Sequence, residues 1–144
     1  MRRRRAGVLL AAVVVLAAAV LPAAAAPARL DVAVSILPAD RGGALQEQLV
    51  LQGIADFAAD SWPALFEIRP GEPRDASARV TVTRAAGTIV VVTELLPASG
   101  TRRTLRSTIP DGSEDAIVPV AAADIAWLWA AVVVPGRVNR IASR

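Results

Sequence analysis

Thr88-Ile89-Val90-Val91-Val92-Thr93-Glu94-Leu95-Leu96 is the stretch on which the fold turns. It is β-branched along most of its length, follows Ala85-Ala86-Gly87 and is closed by Pro97-Ala98-Ser99-Gly100. A run this short, bounded by turn residues and rich in side chains that suit a pleated surface, reads as a β-strand. Ile89, Val91 and Leu95 fall on one face, Val90 and Val92 on the other. Two apolar faces predict a central strand with neighbours on both sides and cover on at least one face.

Working outward, the flanking segments alternate more cleanly. Upstream, Val80 and Val82 alternate with Arg79, Thr81 and Thr83. Downstream, Leu105 and Ile109 alternate with Arg102, Thr104, Arg106 and Thr108. Loops as short as those at Gly87 and Gly100 join antiparallel neighbours, so the three strands form a meander. Alternation collects the Val, Leu and Ile positions on one face and the Thr and Arg positions on the other. The sheet is therefore predicted to be helix-covered on one side and wet on the other. The wet face carries Arg79, Arg102 and Arg106, together with Glu94, and these arginines are the candidate partner-binding residues. The plainer reading is a solvated, edge-protecting surface partly neutralised by Glu94.

Nearer the start, Arg29 to Leu37 reads as a first strand, with Leu30, Val32, Val34 and Ile36 in alternation. Pro38-Ala39-Asp40-Arg41-Gly42-Gly43 breaks it, and the turn lacks the glycine–lysine spacing of a phosphate loop. A helix is predicted over Ala44 to Ser61. Gln48, Gln52, Asp56 and Asp60 form its polar stripe, and Leu45, Leu49, Val50, Ile54, Phe57 and Ala58 its apolar face. Asp56 and Asp60 share a face as a catalytic carboxylate pair would, but no base or ligand accompanies them, which favours a solvated surface. Trp62-Pro63 ends the helix, Ala64 to Arg69 reads as a second short strand, and Pro70 to Asp75 as a polar turn.

After Pro110-Asp111-Gly112 a last helix begins, with Ser113 as N-cap and Glu114 and Asp115 near the positive end of its dipole. Pro119 predicts either a kink or a helix that starts there. Ala121 to Val133 is apolar nearly all round, with Asp124 its only charge. Two readings are open: a core helix beside the first one, or a membrane span over residues 116–134. The span would carry Asp124 and Pro119, and an acid at mid-membrane costs about 2.5–3.5 kcal/mol. The sheet would also lose half its cover, so the core reading is preferred.

Residues 1–26 read as a signal peptide: Arg2 to Arg5, an apolar core from Gly7 to Leu21, then Pro22 and an alanine run for cleavage. An uncleaved leader would instead anchor the chain. Residues 27–134 then form one α/β domain, a two-layer sandwich in which a mostly antiparallel sheet of four to five strands carries two helices on one face. Residues 135–144 are a tail that could begin another strand.

Composition narrows function by what it lacks. The chain has no His, Cys, Tyr or Lys, which removes Ser–His and Cys–His nucleophiles, Schiff-base lysines, disulfides and zinc sites built from His or Cys. No cofactor motif and no metal cluster is legible. The basic balance belongs to the leader, because beyond residue 26 twelve arginines stand against thirteen acids. Neither charge nor aromatic content points to nucleic acid.

The order strand, helix, strand, three-stranded meander, helix behind an export signal resembles the amino-terminal α/β domain of TolB-type periplasmic proteins. Leu30 to Leu37, Ala44 to Ser61, Ser77 to Arg84 and Asp124-Ile125-Ala126-Trp127-Leu128-Trp129 carry the resemblance. It implies a non-catalytic, periplasmic domain that contacts another envelope protein; from the residues themselves, membrane contact is expected only through the leader or the last helix.

Overall fold

The opening stretch is strand β4, Thr88–Pro97, in a computed structural model that describes residues 26–37, 43–72 and 75–133. The element order is β1 (Ala28–Leu37), α1 (Gly43–Ser61), β2 (Phe66–Ile68), β3 (Ala76–Ala85), β4, β5 (Arg103–Pro110), one 3₁₀ turn (Glu114–Ala116) and α2 (Ile117–Val133). The strands make one sheet in the order β2-β1-β3-β4-β5. β4 is interior as expected, while the middle position belongs to β3. The architecture is the α/β sandwich read from the sequence. The leader and the tail lie outside the described residues.

The meander is antiparallel throughout, with Ala85 opposite Thr88 so that Ala86-Gly87 alone turns the chain. Gly87 takes φ 74°, a conformation a Cβ would strain. β1 differs, being parallel to both of its neighbours. Helix α1 returns the chain to the level at which β1 began, so β2 must run the same way. The chain then crosses the start of β1 to begin β3 on its other side. Four hydrogen bonds latch this crossing to β1: Arg69 N donates to the Leu30 carbonyl (2.8 Å), Asp75 N to the Arg29 carbonyl (3.2 Å), Arg29 N to Asp75 Oδ2 (2.7 Å) and Gly71 N to Asp31 Oδ1 (2.8 Å).

One face of the sheet is buried under the helices. Leu30 and Val32 of β1, Val80 and Val82 of β3, and Ile89, Val91 and Leu95 of β4 all point into this layer. Ile54 and Ala58 of α1 and Ala121, Ala122, Ile125 and Ala126 of α2 meet them there. Burying each large side chain contributes about 1.5–3 kcal/mol. The helices also pack on each other, and Gly53 of α1 lies so close to Val118 of α2 that a Cβ on it would approach Val118 Cγ2 to 3.0 Å. Glu114–Val133 is long and apolar enough to cross a membrane, yet 56% of its most apolar window is buried within the fold. It serves as the second half of the sheet's cover.

Several details depart from the sequence reading. Leu49 and Phe57 are 64% and 36% exposed, not part of the buried face. The buried line of α1 runs through Val50, Ile54 and Ala58, and residues one step before it lie about 100° round the helix. Phe57 instead meets the Trp62 ring edge-on at 5.8 Å. The second strand is shorter than Ala64–Arg69, because Pro63-Ala64-Leu65 form a turn in which Leu65 N donates to the Trp62 carbonyl at 3.1 Å. Ser113 makes no side-chain cap; its carbonyl accepts from Ala116 N at 2.9 Å. Pro119 does not begin α2. The helix starts at Ile117, and in its first turn a missing N–H costs nothing.

Candidate interaction face

Both helices sit on one side, so among the described residues the opposite face of the sheet is left open. The strand register arranges its side chains in rows. One row reads Ala33, Arg79, Glu94, Thr104; the next reads Ser35, Thr81, Val92, Arg106; a third reads Leu37, Thr83, Val90, Thr108. Charge gathers at one end of the face, where Leu96 also stands opposite Ser77, and Leu37 lies at the other end. Leu37 and Leu96 are 46% and 44% exposed, large for aliphatic side chains on a sheet.

The charged end is concave. A trench of ≈ 310 Å³ runs over a floor of Ala33 and Ser77. The small side chains on β1 and β3 make the dent, and longer ones rise around it. Arg79, Glu94, Leu96 and Arg102 stand on one side and Asp31 on the other. Asp31 is held there by the Gly71 N–H, so the crossing that orders the strands also positions one of the trench acids. Arg79 stands opposite Glu94 in the β3–β4 ladder, a favourable cross-strand placement. Among the described residues the ion pairs are Arg69–Glu67 and Arg84–Glu114, the latter at 3.6 Å, and neither engages Arg79, Arg102 or Arg106.

The three arginines read from the sequence therefore share the open face without forming one cluster. Arg79 and Arg102 meet at the trench, while Arg106 lies outside it beside Val92, at the sheet edge. Asp31, Leu37 and Leu96 escaped the sequence reading. Each follows the alternation of its own strand, but only the register shows that Asp31 and Leu96 flank Ser77 at the Arg79 end, while Leu37 stands beside Thr83 at the other end. Asp56 and Asp60 are exposed on the outer side of α1, where Gln52 Nε2 donates to Asp56 Oδ1 at 2.9 Å. They belong to a solvated stripe.

One polar pair lies on the covered side. Asp124 of α2 is buried and its Oδ2 accepts a hydrogen bond from Ser107 Oγ of β5 at 2.8 Å. Burial pushes its carboxyl above the usual aspartate range, and the Ser107 bond partly offsets this. The hydrogen bond joins α2 to β5. Among the described residues no group of three acids or other ligands could hold a metal ion.

No protein-family model and no curated protein matches the chain. Among solved structures it is similar to the PelC dodecamer from Paraburkholderia phytofirmans, at 18% identity and TM-score 0.41, covering 73% of this chain and 85% of that one. It is also similar to protein XCC0632 from Xanthomonas campestris, a DUF330 protein, at 16% identity and TM-score 0.37, covering 78% of this chain and 86% of that one.

Proposed function

We propose that the chain is an exported, non-catalytic module of the cell envelope that binds another envelope protein through the open face of its sheet. The observation that carries this reading is the face itself. Among the described residues the five strands are shielded on one side only, and the bare side carries exposed Leu37 and Leu96 and a trench with Arg79 and Arg102. Surfaces that combine apolar anchors with a charged rim suit protein partners. The leader supports export, and the resemblance to TolB-type domains points to the same kind of role. The absence of His, Cys, Lys and Tyr supports a binding function over a catalytic one.

A photo-reactive residue at Leu96, with a control at the still more exposed Leu49 on α1, tests the reading in living cells. The expected result is a discrete adduct with an envelope protein from Leu96 and none from Leu49. Adducts from Leu49 alone, or none from Leu96, would overturn it.

The trench also favours a second reading, a small-anion site at Arg79 and Arg102. Phosphate or an acidic sugar would then raise the melting temperature, and Arg79→Ala would abolish the shift.

A further inference from the structure

The outer side of β5 is the longer free edge of the sheet. β2, at the opposite edge, has three residues, whereas β5 has eight. The register of β5 against β4 is unbroken from Arg103 to Pro110, so no bulge turns the edge away, and its one proline is its last residue. Among the described residues nothing pairs with its outward backbone N–H and C=O groups. From Thr101 to Ile109 the chain carries Arg102, Arg103 and Arg106 and no acid. None of the three is engaged in the ion pairs formed among the described residues.

Charge separates the occupants this edge could take. The β5 of a second copy would set arginines against arginines. The chain's own residues 135–144 bring Arg137, Arg140 and Arg144 and no acid. Like charges across a ladder destabilise it, whereas carboxylates at matching positions stabilise it. A line of unpaired backbone groups is satisfied by another backbone, which a lipid or phosphate surface lacks. The arginines that repel a second copy therefore select an acidic strand.

We propose that β5 is the docking edge for an extended acidic segment of the partner protein, added as a sixth strand. Its carboxylates lie four residues apart, beside Arg102 and Arg106 on the open face. The inference rests on the protein-binding reading above and names the partner's chemistry.

The test uses the full chain and a short synthetic strand with two glutamates four positions apart, beside its glutamine twin. The glutamate peptide is expected to slow amide exchange in β5 and in no other strand. Arg102→Glu with Arg106→Glu should weaken it about tenfold, the scale on which two exposed charge pairs act. A lysine version of the peptide should then bind the double variant better than wild type, a rescue that misfolding could not produce. Equal affinity of the glutamine twin, or protection elsewhere, overturns the proposal. Concentration-dependent protection of β5 in the chain alone would give the edge to a second copy. Binding to phosphatidylglycerol vesicles without peptide protection would give the arginines to lipid. If the peptide fails while the Leu96 cross-link persists, strand addition alone is rejected and the protein-binding reading stands.

Discussion

Thr93 and Asp124 are the buried polar residues of the described core, and each makes a separate prediction. Thr93 Oγ1 has no hydrogen-bond partner among the described residues, so its burial costs free energy without return. Thr93→Val keeps the shape and removes the hydroxyl, and should raise stability by about 1 kcal/mol in urea denaturation. Asp124 responds to pH. Its folded-state value lies above the ordinary 3.8, so in the interval between the two the folded chain holds the proton more tightly than the unfolded one. Stability is then fully present below the interval and falls as pH rises through it. Asp124→Asn removes the charge and keeps an acceptor for Ser107. Its urea midpoint should exceed that of the wild type at neutral pH, with the gap closing as pH falls toward the ordinary aspartate value. A gap independent of pH would contradict the assignment. The sequence already showed Asp124 as the one charge in an apolar helix. It could not show Ser107 as its partner, because alternation gives the face of a residue on β5 and not its level against α2.

At the scale of elements, the contact of α1 with α2 turns on Gly53 and Val118. Glycine in mid-helix costs about 1 kcal/mol relative to alanine, yet a Cβ at Gly53 would press on Val118, whose branched side chain has little rotamer freedom. Gly53→Ala should therefore gain little or lose stability in the wild type. In a Val118→Ala background it should gain about 0.5–1 kcal/mol, and thermal melts of the double-mutant cycle give the coupling. Additive effects would show that the helices do not touch there. Element existence was legible because the periods were clean: Val80 and Val82 in β3, Leu105 and Ile109 in β5, Gln48 to Asp60 in α1. The pairing of β1 was not. Its parallel partners follow from where residues 69–75 cross it, and the hydrogen bonds that fix the crossing, at Arg29, Leu30, Asp31 and Asp75, leave no periodic trace. Leu49 was misplaced because hydrophobicity marks what can be buried, and only the packing of α1 decides what is.

For the whole molecule, a sheet shielded on one side could be anticipated from three alternating strands and two apolar helices. The candidate site was half legible for the same reason. Arg79, Arg102 and Arg106 share the open face as alternation requires, but the trench that joins the first two depends on the small Ala33 and Ser77 of other strands. The partner is proposed to sit on this bare face. The chain has no cysteine, so single-cysteine variants can be labelled without background. The decisive measurement compares maleimide labelling of Leu96→Cys, Arg106→Cys and Leu49→Cys in the purified chain and in intact envelopes. All three should react fast when purified, and in the envelope Leu96→Cys and Arg106→Cys should slow while Leu49→Cys stays fast. Fast labelling of Leu96→Cys and Arg106→Cys in the envelope, or protection of Leu49→Cys instead, would contradict the account.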